Sequence, residues 1–320
     1  MNDETHITDN TVAIQTPVII SASRSTDIPA FHAQWFINRL RAGYVIWYNP
    51  FNHKPMRISF KNTKVVVFWT KNPKPLIPYL KELDDRGIQY YFQFTLNDYE
   101  YEGFEPNVPP LAERIDTFRQ LSGLIGKEKV IWRFDPLIVT PQVSPRDLLE
   151  KIWNTGNCLK NCTEKLVFSF IDIKAYRKVQ NNLVKETSSF SRENIENSEL
   201  TVEQITEIAE GLAQIRKHWQ SEGWNISMAT CAEQIDLSKY GIEHNSCIDS
   251  KLIKRIFPSA KDFLSGQVNR KDRGQRKICG CTVSKDIGMY NTCSHFCVYC
   301  YANTSRSAVE KLLIVNIVNY

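Results

Sequence analysis

Six apolar runs, each passing into polar residues at its C-terminal end, constrain the fold of this 320-residue chain more than any other feature. They are Val18 to Arg24, Val65 to Lys71, Tyr90 to Thr95, Val130 to Asp135, Leu166 to Asp172 and Ile226 to Cys231. Their apolar character is nearly continuous, as expected of parallel strands buried on both faces. Helical spacing fills the intervals. One predicted helix follows Asp27-Ile28-Pro29 and carries Phe31, Trp35, Phe36 and Leu40; others cover Pro75 to Asp85, Leu111 to Ile125 and Pro145 to Trp153. Thr201-Val202-Glu203-Gln204 has the capping-box pattern and opens a helix running towards Trp219. Repeated strand–helix units give an α/β protein with a parallel sheet. About six units suit an open doubly wound sheet or a partial TIM-like (β/α) barrel. The barrel is preferred, because it gathers the polar strand ends on one face.

Apolar residues make up 42% of the chain, which argues against general disorder. Lys and Arg exceed Asp and Glu by 40 − 35 = 5, an excess that permits an anionic partner without requiring one. Residues 1–16 are polar and acidic and read as a disordered tail, not a signal peptide. No apolar run approaches the roughly 20 residues of a spanning helix. A cytoplasmic protein without a membrane partner is expected, and in that compartment clustered thiols read as metal or redox sites. Residues 17–260 are assigned to the barrel-like domain, 261–302 to a basic, cysteine-rich segment of the same domain, and 303–320 to a tail. The polar stretch Gln180 to Ser198 is expected to be an exposed insertion or loop, and Leu312 to Val318 a packed terminal strand.

Five of the nine cysteines fall between residues 279 and 300. Cys293, Cys297 and Cys300 form a C-x3-C-x2-C loop, short enough to wrap one metal centre at little chain-closure cost. Thiolates select iron–sulfur clusters or zinc over harder cations. Three ligands leave one position open, as at a chemically active centre, whereas Cys279 or Cys281 could supply a fourth and close a structural zinc site. Cys158 and Cys162 share an x3 spacing but lie at a helix end without a third partner, and read as structural, as does Cys247.

The string Cys293-Ser294-His295-Phe296-Cys297-Val298-Tyr299-Cys300-Tyr301-Ala302 resembles the cluster loop of radical S-adenosylmethionine (radical SAM) enzymes, and in particular the spore photoproduct lyase and DNA-repair-photolyase-like branch. The whole chain is also similar to an uncharacterised bacterial domain family of unknown function. The matching phrases are Ser21 to Ala30, Phe68 to Pro73, Trp132 to Pro136, Cys231-Ala232-Glu233 with Ile235-Asp236-Leu237, and the closing cysteines. The resemblance implies a [4Fe–4S] cluster on Cys293, Cys297 and Cys300, with S-adenosylmethionine on its fourth iron. It also implies a 5′-deoxyadenosyl radical that abstracts hydrogen from a substrate, and a flavodoxin- or ferredoxin-like reductant. Two departures stand out. The usual motif follows the first barrel strand, whereas here it follows all the predicted strands, so a circularly permuted barrel is expected. The Gly-Gly-Glu string that often receives the cofactor's amino group is missing.

Strand ends supply the remaining candidates. Ser23, Arg24, Asp27, Lys71, Arg133, Asp135 and Asp172 would ring the mouth of a barrel, where with Tyr299 they could hold the cofactor or a polar substrate. Cys231 is a candidate fourth metal ligand or hydrogen donor to a substrate radical, and Glu233 a candidate catalytic carboxylate. The bland alternative is an internal Arg–Asp ion-pair network and a buried thiol. His295 could ligate or tune the cluster. The stretch Lys261 to Lys277, with Arg270, Lys271, Arg273 and Arg276, could track a nucleic-acid backbone or be a solvated linker. Trp47, Trp69 and Trp132 could stack bases or belong to the core. Three functions follow: a radical SAM enzyme acting on a nucleic acid or a small polar metabolite, a zinc-stabilised nucleic-acid-binding module, and an iron–sulfur electron-transfer or redox-sensing protein.

Overall fold

The computed structural model describes residues 13–260, 270–272, 274–276 and 278–317, with side chains described as far as 312. Lys261, Asp262, Arg273 and Lys277 of the basic strip and residues 1–12 of the N-terminal tail lie outside the described residues. In chain order the strands are β1 (Ala13–Gln15), β2 (Ile19–Ala22), β3 (Tyr44–Tyr48), β4 (Pro55–Ser59), β5 (Val65–Thr70) and β6 (Gln89–Thr95). They continue with β7 (Val130–Leu137), β8 (Lys165–Phe170), β9 (Ser227–Thr230), β10 (Ile242–His244) and β11 (Lys285–Asp286). The helices are α1 (Ile28–Phe31), α2 (Ala33–Ala42), α3 (Leu80–Asp85), α4 (Leu111–Ile125), α5 (Pro145–Cys158), α6 (Arg177–Glu186), α7 (Val202–Ser221), α8 (Ser250–Ile256) and α9 (Arg306–Ile317).

All six predicted strands are present, as β2 and β5 to β9. They belong to one eight-stranded parallel sheet in the order β10-β9-β8-β7-β6-β5-β2-β11. From β2 to β10 each strand lies beside its predecessor in that sheet, without the reversal of direction that defines a doubly wound sheet. The edge strands β10 and β11 are not paired with one another, but the Thr282 N–H donates to Ile248 O at 2.9 Å, so the segments beside the two edges meet. A second sheet, ordered β1-β4-β3, joins the hairpin β3–β4 between α2 and β5 to β1, which precedes β2.

Period-2 alternation sorts the main sheet into two faces. Val66 and Phe68 of β5, Phe92 and Phe94 of β6 and Trp132 and Phe134 of β7 pack with Phe36, Leu83, Phe118 and Ile152 of helices α2 to α5. The opposite face carries Ile19, Val65, Val67, Tyr91, Ile131 and Val167, which pack with Leu252 and Ile253 of α8 and with Phe257 and Ala260. Burial on both sides is why the strands read as continuous apolar runs. The capping box at Thr201 is formed, and α5 has a second at Ser144 and Asp147.

Two expectations are corrected. Leu312 to Val318 does not make a terminal strand, because α9 runs to Ile317. The Ala308 N–H donates to Ser305 Oγ at 3.2 Å at its start, and Arg306 pairs with Glu310 at i,i+4, so local helix chemistry overrides the β-branched tail. Nor is Gln180 to Ser198 simply an exposed loop. α6 covers its first third, and Leu183, Phe190 and Ile195 are buried, too sparse an apolar spacing to stand out in a polar stretch.

Helix α5 meets α7 at Gly156, where an added Cβ would lie 2.3 Å from the Trp219 ring. Gly156→Ala should therefore destabilise the fold by about 1–3 kcal/mol in urea unfolding. Gly123→Ala, in α4 with nothing within 4 Å, should stabilise it by about 0.5–1 kcal/mol. Equal effects at the two positions would contradict this packing.

Candidate functional site

The cysteine loop lies across the carboxyl ends of β2, β5 and β6, held there by groups from the segments that leave those strands. Asp27, five residues beyond β2, carries most of the attachment. Its Oδ1 accepts the Ala30 N–H at 3.0 Å and caps α1, while its Oδ2 accepts the Lys71 N–H at 2.7 Å and lies 2.8 Å from His295 Nε2. The segment after β6 holds the other side. Val298 N–H donates to Phe104 O at 3.0 Å, Asn107 N–H to His295 O at 3.2 Å, and Asn107 Nδ2 to Ser294 O at 3.0 Å. Within the loop, Asn303 Nδ2 donates to Cys293 O at 2.8 Å.

Beneath the loop is a buried polar knot. Lys71 Nζ donates to Glu105 Oε1 at 2.7 Å and to Tyr299 OH at 2.9 Å, and Asn97 Nδ2 reaches the same two oxygens at 2.9 and 3.1 Å. Tyr299 OH in turn donates to Glu105. Burial alone would depress the Lys71 ammonium, but the Glu105 carboxylate reverses this and raises its pKa. Burial acts the other way on Glu105, and Lys71 and Arg114 hold its pKa below the ordinary carboxylate value. Each of the two keeps the other charged. Burial also pushes the Cys293, Cys297 and Cys300 thiols up; Cys293 and Cys297 each feel the charge of Cys300, and Lys71 opposes the rise at Cys297.

By donor type and burial these three thiols suit a thiophilic metal centre, and forming their thiolates requires a cation to offset the desolvation. Among the described residues, no three His, Cys, Asp or Glu side chains already stand around a common ion position.

A second group of thiols lies on the α8 side of the sheet, beside Ile19, Val67 and Tyr91. Cys231 Sγ, just past β9, is 3.2 Å from Cys247 Sγ; Cys247 also contacts Cys281, and Cys281 contacts Cys279. Arg133 Nη1 donates to Cys247 Sγ at 3.1 Å, Asn245 Nδ2 does so at 3.2 Å, and Ile248 N–H donates to Cys281 Sγ at 3.3 Å. Arg24 hydrogen-bonds Cys281, and its Nη2 is buried without a partner. The Trp69 ring lies between the two guanidinium groups, its centroid 5.3 Å from Arg24 and 5.2 Å from Arg133. The Cys281 contact brings Cys279 to a pKa of about 7.

The remaining candidates occupy the rim. Asp135 pairs with Arg133, accepting from its Nε at 3.0 Å, and accepts from Ser169; burial would raise its pKa, and Arg133 brings it below the ordinary value. Glu233 accepts the Phe170 N–H at 2.9 Å and is raised to about 7 by burial, with Asp172 and Asp135 adding to the rise. Asp172 is taken by Arg276 at 2.5 Å, and Arg276 also donates to Tyr176 OH at 2.6 Å, which spends one charge of the basic strip on the rim itself. Cys158 closes α5 and Cys162 lies just beyond it, as expected. Trp132 is fully buried core.

The structure thus brings Asp27, Lys71, Tyr299 and His295 to the cysteine loop. It groups Arg24, Arg133, Cys231, Cys279 and Cys281, and leaves Asp135, Asp172 and Glu233 at the carboxyl ends of β7, β8 and β9. Sequence reasoning missed Glu105, Asn97, Cys247 and Asp286. Asp286 of β11 accepts from Ser21 Oγ, Ser23 Oγ, the Arg24 N–H and the Gly288 N–H at 2.7 to 2.9 Å, fixing the strand before the loop to β2. Asn97 lies two residues beyond β6 and falls under the same strand-end rule that found Lys71. The others depend on contacts far apart in sequence.

Fold and site define a parallel α/β protein with a cysteine loop anchored at the carboxyl ends of its strands. Residues 19–302 match the family described as Domain of unknown function (DUF1848), and the chain belongs to that family. No curated protein and no solved structure matches the chain.

Glu105→Gln leaves the Lys71 ammonium buried without its counter-charge and should cost about 3–5 kcal/mol in urea unfolding. The double variant Lys71→Met/Glu105→Gln should recover part of that loss. A cost under about 1 kcal/mol for Glu105→Gln would mean that the pair does not hold the loop.

Proposed function

We propose that the chain is a radical SAM-type iron–sulfur enzyme whose cluster is held by Cys293, Cys297 and Cys300. The observation that carries this is the C-x3-C-x2-C loop clamped over the carboxyl ends of three parallel strands, the end at which such sheets place their chemistry. Strand order adds support. β11, the strand that leads into the loop, pairs with β2, so in space the loop follows the strand that precedes β2. That is the place expected of the motif in a permuted partial barrel, and the sequential order of β2 to β10 favours such a barrel over a doubly wound sheet. Cys281 is engaged with Cys247 and Cys279 with Cys281, which leaves the triplet one ligand short and favours an open position over a closed zinc knuckle.

With S-adenosylmethionine bound, such a cluster would supply hydrogen-atom abstraction from a substrate, driven by an electron from a flavodoxin- or ferredoxin-like reductant. The chain's own residues orient and exclude water. Asp27 and the Lys71–Glu105–Tyr299 knot fix the loop, and Asp135, Asp172 and Glu233 at the mouth offer acceptors for an amine or hydroxyl of the cofactor or substrate. The substrate class is a nucleic acid or a small polar metabolite.

Cys297→Ala should reduce the iron of the anaerobically purified protein to background, abolish reductive cleavage of S-adenosylmethionine, and leave the circular dichroism of the fold unchanged. An iron content equal to that of the unaltered chain would overturn the ligand assignment.

A further inference from the structure

The four thiols on the α8 side of the sheet do not belong to the cluster loop. Cys231, Cys247, Cys281 and Cys279 follow one another in contact, drawn from three separate segments. Chance burial of cysteines accounts poorly for this, because the surrounding chain is shaped to it. Gly280 separates Cys279 from Cys281, and a Cβ there would lie 2.4 Å from Ser246 Oγ, so the Cys279-Gly280-Cys281 turn packs closely on the segment carrying Cys247. The Thr282 N–H bond to Ile248 O fixes the two segments side by side. The sulfurs are also supplied with donors. Cys247 receives Arg133 Nη1 and Asn245 Nδ2, and Cys281 receives the Ile248 N–H, the pattern that holds metal thiolates in place. Arg24 Nη2, buried and unpartnered, belongs to the same surroundings.

We propose that Cys231, Cys247, Cys279 and Cys281 form a second, closed four-thiolate site for a single zinc ion, distinct from the Cys293–Cys297–Cys300 centre. Four thiols release four protons to water and donate four sulfur lone pairs to Zn²⁺; no electron changes hands, and the net charge of −2 faces the guanidinium groups of Arg24 and Arg133. The spacing favours one ion over a cluster. A tetrahedral zinc with bonds of about 2.3 Å sets its sulfurs about 3.8 Å apart, whereas a cluster holds them much farther away. The observed Cys231–Cys247 separation of 3.2 Å lies on the zinc side. The sulfurs run as a string in this structure, so the proposed site requires the end side chains, Cys231 and Cys279, to rotate to gather all four around one ion. Such a site pins the segments beside both edge strands on the α8 side of the sheet.

The test is the metal content of the full-length protein purified anaerobically with zinc present. A Cys293→Ala/Cys297→Ala/Cys300→Ala variant should retain stoichiometric zinc, and adding Cys279→Ser and Cys281→Ser should remove it. Asn245→Ala keeps all four ligands and should lower zinc affinity about 10–100-fold in competition with a chelator, which guards against a ligand variant that merely misfolds. Loss of zinc from the triple-alanine variant would place the ion in the cluster loop and overturn the proposal. So would zinc retained after Cys279→Ser/Cys281→Ser, iron in its place, or an unchanged affinity in Asn245→Ala.

Discussion

One carboxylate joins three parts of this molecule. Asp27 caps α1, fixes the backbone at Lys71 where β5 ends, and faces His295 inside the cysteine loop, all while 5% exposed. A buried carboxylate must be matched by donors or it is expelled, so the three attachments are mutually required. The Lys71–Glu105–Tyr299 knot works in the same way one layer below, and Asp286 repeats it at the neighbouring edge with four donors. The loop's position over the strand ends follows from these polar matches as much as from apolar packing.

The α8 side of the sheet is stratified. Deepest lie Ile19, Val65, Val67, Tyr91, Ile131 and Val167 under α8. Above them comes the layer of Trp69, Arg24, Arg133 and the four thiols, with Gln93 Nε2 and Tyr91 OH both donating to Cys247 O at 2.9 and 2.7 Å. Asp135, Glu233 and Asp172 form the rim. The cysteines between 279 and 300 are thus divided into two groups by the intervening strand β11, with Cys281 beside Cys247 and with Cys293, Cys297 and Cys300 in the buried loop over the strand ends.

Much of this was legible in the sequence, and the reasons can be assigned. The six strands were visible because burial on both faces makes their residues uniformly apolar, as in Val65-Val66-Val67-Phe68-Trp69. Thr201 and Gln204 announced α7 because a capping box is local. The strand-end rule found Arg24, Asp27, Lys71, Arg133 and Asp135, and the expectation of an internal Arg–Asp pair holds for Arg133 with Asp135. What was hidden depends on pairing across long separations. β11 is two residues long and has no apolar pattern; it exists because Asp286 meets Ser21 and Ser23 more than 260 positions away. Cys247 looked structural because nothing local links it to Cys231, Cys279 or Cys281. The β-branched end of α9 suggests a strand, but the capping and ion-pair contacts at its start support a helix.

The functional reading stands or falls with an iron–sulfur cluster, one iron open, in the loop of Cys293, Cys297 and Cys300. Electron paramagnetic resonance of the anaerobically purified, dithionite-reduced protein, recorded with and without S-adenosylmethionine, tests it most directly. The account predicts a [4Fe–4S]⁺ signal that changes on adding S-adenosylmethionine. A cluster signal indifferent to it, or no cluster signal from a folded protein reconstituted with iron and sulfide, would contradict the claim.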